Sequence, residues 1–152
     1  MAELKTILPE RMIIPALRST DYEEVIREMF DFLESQGEVH PDVAEVERDV
    51  VLEREEEQGS GVGSGVAIPH ARVKGLEKVI AVFGRSAEGA NFSSPDNSPC
   101  HFICLLLVPL DQAGLHLQTL ASLAKLLSRC GVRERLMEAS GAAEIAIILA
   151  DC

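Results

Sequence analysis

Residues 59–72 read G-S-G-V-G-S-G-V-A-I-P-H-A-R, and the organisation of the chain is clearest from this stretch. Every second residue from Gly59 to Gly65 is glycine, which permits positive φ and close approach of the backbone to a ligand. Residues 66–68 predict a short buried strand, and Pro69 restricts the backbone before His70. Two interpretations are open: a glycine-rich hairpin loop that a histidine happens to follow, or a nucleophilic histidine beside backbone N–H donors for an anion such as phosphate.

The composition indicates one folded domain with a strong negative charge. The chain has 152 residues, of which 47% are hydrophobic, so we expect a single domain over residues 1–152 with a substantial core. The net charge of −11 argues against nucleic acid or an anionic membrane as partner, because both attract basic surfaces. No run is long enough to span a membrane, and the first residues do not form a signal peptide. We therefore expect a cytoplasmic protein without membrane insertion.

The cysteines show neither a disulfide framework nor the spacing of a metal site. Cys100 and Cys104 lie in an apolar run that predicts a strand, where cysteine behaves as a small hydrophobic residue. Strand alternation places both cysteines on one face and His101 on the other, which separates the potential ligands. We expect free thiols in the core, no bound metal and no cofactor.

Hydrophobic periodicity predicts strands and helices that alternate along the chain. A capping box from Thr20 to Glu23 begins a helix that ends near Gly37. A second helix begins at Asp42, and its predicted apolar side consists of Val43, Val46 and Val50, with Val51 as a further candidate. Further runs predict strands at 12–14, 66–68, 79–85 and 101–108, a long helix at 115–130 ended by Gly131, and closing helices at 132–139 and 142–150. This order predicts an α/β fold in which helices flank a mixed β-sheet.

Two histidines and one arginine are candidates for the reacting groups. His116 is predicted in the first turn of the long helix, as a cap, a half-buried surface side chain, or an anion ligand aided by the helix dipole. Arg54 precedes the glycine loop, as a surface ion-pair partner or as a cation that folds back on a bound anion. With a neutral imidazole nitrogen of His70 as nucleophile, these groups resemble a phosphoryl-transfer site. The candidate catalytic residues are His70, His116 and Arg54.

The glycine loop supplies the candidate phosphate-binding positions, which are Ser60, Gly61 and Gly63. Its pattern is not G-x-G-x-x-G, it follows a charged helix rather than a strand, and it lacks the Gly-Lys-Ser/Thr of a P-loop. We therefore do not expect ATP as the phosphoryl donor. The adjacent glutamates at 55–57 oppose a phosphorylated histidine unless their side chains point away.

These motifs resemble the fructose/mannitol-type enzyme IIA domain of the bacterial phosphoenolpyruvate-dependent phosphotransferase system, a group that includes the nitrogen-regulatory IIA proteins. The resemblance is carried by R-E-x₄-S-x-V-G-x-G-V-A-I-P-H-A-R at 54–72 and by H-L-x-x-L-A-x-L-A at 116–124. It extends more loosely over about residues 5–150, and it implies a mixed sheet flanked by helices. Ser60 stands where the family usually has threonine, which keeps a hydroxyl at this position.

The resemblance implies a transferase component that forms a phosphohistidine on His70. His116 would assist the phosphoryl group without carrying it, and Arg54 would lie near the phosphate. The donor would be the phosphorylated histidine-containing phosphocarrier protein, and the acceptor a cognate IIB domain in sugar uptake. The alternative is a nitrogen-type regulatory protein, in which phosphorylation controls binding to a target protein. A third hypothesis, a degenerate domain that only senses or scaffolds, is opposed by the presence of all three candidate residues.

Overall fold

The computed structural model describes residues 4–151, so residues 1–3 and Cys152 lie outside the described part. Within it, the chain forms six α-helices, one 3₁₀ turn at Glu10–Met12 and six β-strands. The helices are α1 (Leu4–Ile7), α2 (Tyr22–Ser35), α3 (Pro41–Gln58), α4 (Ala113–Leu127), α5 (Cys130–Glu138) and α6 (Ala142–Ala150). The strands are β1 (Ile13–Ile14), β2 (Gly61–Gly63), β3 (Val66–Ala67), β4 (His70–Val73), β5 (Ile80–Ala90) and β6 (Cys100–Pro109).

Strand β6 is the centre of one mixed sheet. The strand order is β1-β5-β6-β3-β2, and β4 also pairs with β6, beyond the end of β3. Strand β5 runs antiparallel to β6, whereas β3 and β4 run parallel to it. Helices cover both faces, which confirms the predicted α/β class with a mixed sheet flanked by helices.

The side chains of β6 alternate between two hydrophobic cores, as the pleat of a strand requires. One core lies against α2 and α3 and receives Ile103, Leu105 and Leu107. The other lies against α4, α5 and α6 and receives Phe102, Cys104 and Leu106. Because β6 is buried on both faces, it can hold β3 and β4, and hence the histidine that starts β4, in a fixed register.

The first predicted helix is confirmed, with a different cap. The carboxylate of Asp21, rather than the Thr20 hydroxyl, accepts the Glu23 amide at the start of α2. All the apolar side chains that recur at helical spacing are fully buried: Val25, Ile26, Met29, Phe30 and Leu33.

The predicted apolar side of the second helix is wrong except for Val51. In α3, Val43, Val46 and Val50 remain 36%, 59% and 38% exposed. The helix buries Val51 together with Ala44, Leu52 and Glu55, which the prediction did not include. The reason is that α3 contacts both α2 and β4, so the side fixed by these two neighbours is not the one that carries most valines.

The structure also differs from the prediction in the end of one strand, the end of the long helix and the role of Gly131. Strand β5 continues to Ala90 rather than ending at Arg85, which shortens the loop that follows it. Helix α4 ends at Leu127, and Gly131 lies inside α5 rather than ending the long helix. The last turn of α4 closes with the Ser128 hydroxyl on a backbone carbonyl, so no glycine is needed there.

Cys100 and Cys104 are both buried and free, but they join opposite cores. The prediction that they share one face is wrong because the alternation of β6 is interrupted between Cys100 and Phe102, where the amides of His101 and Phe102 both donate to the Gly65 carbonyl, at 2.8 and 3.1 Å. Such an irregularity resets the alternation of side chains along a strand. Within residues 4–151, no helix is both long and apolar enough to cross a lipid bilayer.

Candidate functional site

His70 is the first residue of β4 and is aimed by its neighbours on both sides in the chain. Pro69 is buried and its carbonyl accepts the Leu106 amide of β6, at 3.0 Å. Ala71 is buried in the core below the sheet, so the alternation of the strand turns His70 toward the opposite side, where it is half-buried. The ring therefore sits at the edge of the sheet with part of its surface open.

The Nδ1 atom of His70 lies 3.0 Å from the carbonyl oxygen of Ile68. A carbonyl oxygen can only accept a hydrogen bond, so Nδ1 carries the proton in the neutral ring. The lone pair of the neutral imidazole then resides on Nε2, the nitrogen on the far side of the ring. This backbone contact leaves Nε2 as the unprotonated nitrogen of the neutral ring.

His116 lies in the first turn of α4, and its ring faces that of His70. The two ring centroids are 5.1 Å apart and the ring planes are inclined by 55°. The Nδ1 atom of His116 is buried and has no hydrogen-bond partner within residues 4–151. A buried polar atom without a hydrogen-bond partner costs free energy. Native proteins keep such an atom mainly where it has a functional role, such as binding a ligand.

Burial lowers the pKa of His116 below its ordinary value, and the nearby charges of His70, Arg72 and Arg54 lower it further. His116 is therefore neutral at pH 7, with one N–H donor and one acceptor nitrogen. A phosphoryl group placed between the two rings would bring negative charge and reverse this balance, because an opposite charge favours the protonated imidazole.

Arg54 lies near the end of α3 and is exposed, and it lines a cavity of about 50 Å³ together with Ser60 and His70. The structure thus places the predicted arginine, hydroxyl and nucleophile around one small space. The hydroxyl oxygen of Ser60 is buried without a hydrogen-bond partner in the described part of the chain. Ser60 can consequently donate to a ligand without giving up an existing contact.

Arg72 also lies close to the two histidines, although the sequence motifs did not indicate a role for it. It follows His70 by two positions on β4, so both side chains leave the same face of the strand. It is exposed, and it is close enough to His116 to lower the pKa of that ring. The alternation of a strand that begins at His70 was the signal that could have identified it.

The backbone amides of the glycine loop are largely used inside the protein. The Ser60 amide donates to the Glu55 carboxylate at 3.1 Å, and the Gly61 amide donates to the Ser93 carbonyl at 3.0 Å. The Ser64 amide donates to the Asp96 carboxylate at 2.9 Å. The amides of Ser60 and Gly61 are therefore not free to hold an anion in this arrangement.

The glycines serve the packing of two loops against each other. A Cβ on Gly61 would lie 2.4 Å from the Ser93 carbonyl oxygen, so any larger residue would push the loops apart. Gly63 has a φ of +95° and lies beside Asp96, away from both cavities that His70 lines. Hydrogen bonds, above all the one from the Ser98 side chain, hold the pKa of Asp96 well below its usual range. The Asp96 carboxylate therefore stays charged and accepts hydrogen bonds within this turn.

A wider cleft of about 260 Å³ also borders His70 and Ser60. Its lining includes Val62, Ile68 and Leu120, so its wall is mainly apolar. Val62 is 53% exposed and Leu117, next to His116, is 66% exposed. His70 therefore borders a mainly apolar cleft, and exposed apolar side chains lie close to both histidines in the sequence or in space.

Comparison with known proteins agrees with this geometry. Residues 6–152 match the family model described as phosphoenolpyruvate-dependent sugar phosphotransferase system, EIIA 2. A PTS system fructose-specific EIIA component from Haloferax volcanii is 34% identical over 151 residues, which cover 99% of this chain and 97% of that protein. A nitrogen regulatory protein from Bradyrhizobium diazoefficiens is 33% identical over 145 residues, covering 95% of this chain and 92% of that protein.

Solved structures share the fold over nearly the whole chain. Nitrogen regulatory protein IIA-Ntr from Neisseria meningitidis superimposes with a TM-score of 0.86 at 32% identity, covering 96% of this chain and 98% of that one. IIA mannitol from Escherichia coli gives a TM-score of 0.78 at 25% identity, covering 94% and 99%. The chain therefore belongs to the EIIA 2 family of the phosphoenolpyruvate-dependent sugar phosphotransferase system.

Proposed function

We propose that this protein is a phosphocarrier that accepts a phosphoryl group on Nε2 of His70 and passes it to a second protein. The observation that carries the proposal is the 3.0 Å contact between Nδ1 of His70 and the Ile68 carbonyl. It leaves Nε2 unprotonated in the resting neutral ring, so the nucleophile is ready without a separate base.

In the accepting step, the Nε2 lone pair forms a bond to phosphorus while the P–N bond of the donor phosphohistidine breaks. The electron pair of that bond returns to the donor imidazole. His70 keeps its Nδ1 proton, so the phosphorylated ring carries a positive charge, which the Ile68 carbonyl stabilises as an acceptor. In the donating step, the acceptor nucleophile attacks phosphorus and the electron pair returns to Nε2. His70 neither gains nor loses a proton in either direction.

Neighbouring groups hold the phosphoryl oxygens in this proposal. His116 donates a hydrogen bond from its ring and does not itself carry the group. Arg54 and Arg72 supply positive charge, and the Ser60 hydroxyl donates the remaining hydrogen bond. Of the predicted phosphate-binding positions, Ser60 acts through its side chain, while Gly61 and Gly63 shape the loop that presents it.

The phosphoryl donor we propose is the histidine-containing phosphocarrier protein, and the acceptor is a IIB domain, as in sugar uptake. Two exposed apolar side chains support a protein partner, because contact with another protein would bury them: Val62 beside the cleft at His70, and Leu117, which follows His116. The net charge of −11 favours a partner whose own rim is basic. The same charge disfavours a second copy of this chain.

The second candidate function is regulation, in which phosphorylation of His70 controls binding to a target protein. It is favoured by the identity of 33% to a nitrogen regulatory protein and by the TM-score of 0.86 to IIA-Ntr. The chemistry on His70 is the same in both candidates, and only the recipient of the signal differs.

The test begins with intact-mass measurement of wild type and His70→Ala after incubation with phosphoenolpyruvate, enzyme I and the phosphocarrier protein. We expect one acid-labile phosphoryl group on the wild type and none on the variant. A folded wild type that stays unmodified would contradict the proposal. Adding a purified IIB domain then separates the two candidates: loss of the group to IIB supports transport, and retention supports regulation.

A further inference from the structure

Glu55 is a charged residue whose position the proposed reaction does not explain. It lies in the last turn of α3 and is only 5% exposed, whereas Glu56 and Glu57 beside it are exposed. Carboxylates are seldom buried without a partner, because removing their charge from water costs free energy. The burial of Glu55 therefore calls for a specific contact that makes use of it.

Glu55 closes the turn that leads from α3 into the glycine loop. Its carboxylate accepts the Ser60 amide at 3.1 Å, and its backbone carbonyl accepts the Gly59 amide at 3.1 Å. Gly59 adopts a φ of +70°, and this left-handed conformation lets the chain turn so that the next amide meets the Glu55 carboxylate. The position of Ser60 relative to α3 is thus set by one residue through two hydrogen bonds.

A series of hydrogen bonds continues from Ser60 to the imidazole of His70. The Ser60 carbonyl accepts the Ile68 amide at 3.0 Å. The Ile68 carbonyl oxygen in turn accepts a hydrogen bond from Nδ1 of His70, at an N···O distance of 3.0 Å. Glu55, Ser60 and His70 also line the same cavity of about 50 Å³. A displacement of Ser60 would therefore move the carbonyl that selects the tautomer of His70.

We propose that Glu55 is a positioning residue that, through Ser60 and Ile68, keeps Nδ1 of His70 protonated and Nε2 free. The carboxylate provides the acceptor for the amide of the half-buried Ser60. A charged acceptor binds an amide more strongly than a neutral one, which suits a contact that fixes a loop. The claim about the tautomer concerns the unphosphorylated protein, and only its effect on rate rests on the proposed function.

The direct test is ¹⁵N NMR of the neutral His70 imidazole at alkaline pH, where the two tautomers give different nitrogen shifts. The variants are Glu55→Met, which keeps length and lacks an acceptor, and Glu55→Gln, whose amide oxygen can still accept the Ser60 proton. Glu56→Gln is the matched control, because it changes the same residue type on the exposed side of α3. Wild type, Glu55→Gln and Glu56→Gln are expected to show mainly Nδ1–H, whereas Glu55→Met gains a large Nε2–H population.

Glu55→Asp covers the case in which Glu55→Met does not fold, since it keeps the charge and shortens the reach to Ser60. It should also shift the tautomer balance toward Nε2–H. An unchanged balance in either folded variant would overturn the proposal.

The rate of phosphoryl transfer gives a second readout. Glu55→Met should react about 10- to 100-fold more slowly, with little change in KM for the donor protein, because misorientation of a nucleophile affects the chemical step. Glu55→Gln should remain close to wild type and so rescue the loss. If wild type accepts no phosphoryl group, the proposed function fails, and the tautomer measurement still decides the role of Glu55.

Discussion

The two histidines of the site lie 5.1 Å apart but are held in opposite ways. His70 begins a strand, and its Nδ1 is fixed on the Ile68 carbonyl. His116 lies in the first turn of a helix, and its Nδ1 is buried without a partner within residues 4–151. In His70, Nδ1 is hydrogen-bonded and Nε2 remains unprotonated, whereas Nδ1 of His116 is still available to a ligand.

The difference shows how one residue type can fill two roles in the same site. A backbone acceptor defines the tautomer of His70 and so prepares a nucleophile. Burial and positive neighbours keep His116 neutral, so it responds when negative charge arrives. Single substitutions at and around the two rings can separate these roles.

Replacing His70 should have the largest effect. His70→Ala removes the proposed nucleophile, so phosphorylation should fall below detection by intact mass. His40→Ala is the matched control, because His40 is exposed and caps α3 away from the site. A phosphoryl group on folded His70→Ala, or its loss in His40→Ala, would contradict the role of His70.

Replacing His116 should slow transfer without abolishing it. His116→Gln keeps a polar side chain but loses the ring that faces His70, so the rate should fall by about 10²- to 10³-fold, as when one transition-state donor is removed. Single-turnover kinetics with the phosphorylated donor measures this loss. A normal rate in both accepting and donating would remove His116 from the mechanism, and transfer of the phosphoryl group to His116 would reverse the two roles.

Replacing the Ser60 hydroxyl should have a moderate effect. Ser60→Ala removes one uncommitted donor near His70, and the rate should fall about tenfold, the scale of one hydrogen bond to a charged group. The control is Ser64→Ala, because the Ser64 side chain is exposed while its amide contact with Asp96 is retained. Equal rates for the two variants would show that the Ser60 hydroxyl does not contact the phosphoryl group.

Removing the charge of Arg72 should raise the pKa of His116 toward its ordinary value. Arg72→Gln leaves the strand position intact but deletes a positive neighbour that lowers this pKa. NMR titration of the His116 ring checks the direction, with Lys74→Gln just beyond β4 as control. A pKa that stays unchanged in Arg72→Gln, or shifts equally in Lys74→Gln, would show that Arg72 does not face the imidazole pair.

The lowered pKa of His116 also predicts a small dependence of stability on pH. Between the folded and unfolded pKa values, the unfolded state binds more protons at this residue, so the free energy of unfolding decreases as pH falls below about 6.5. His116→Gln lacks this contribution, so its unfolding free energy should fall less between pH 7.5 and pH 5.5 in urea titrations. A steeper fall in the variant would mean that His116 is stabilised, not disfavoured, as a cation.

A contrast between α2 and α3 shows how far the sequence predicts the fold. In α2 the apolar residues form one stripe, and every member of it is buried. In α3 the valines occur on more than one side of a mostly charged helix, so periodicity does not identify the buried face. Contacts with α2 and β4 decide it, and these contacts are properties of the assembled fold rather than of the local pattern.

The candidate site was predictable to a similar degree. Residue type and spacing indicated His70, His116 and Arg54, and the structure brings them together. The partners of individual atoms were not predictable, because the Ser93 carbonyl that takes the Gly61 amide comes from a loop distant in sequence. Because residues 55–57 are all glutamates, the sequence could not show that Glu55 is buried while Glu56 and Glu57 are exposed.

The most direct measurement is NMR of the phosphorylated protein with ¹⁵N in its histidine rings. We expect phosphorus to couple to Nε2 of His70, while Nδ1 of the same ring keeps its proton against the Ile68 carbonyl. Coupling to Nδ1 of His70, or to a nitrogen of His116, would contradict the assignment of nucleophile and assistant on which the proposed function rests.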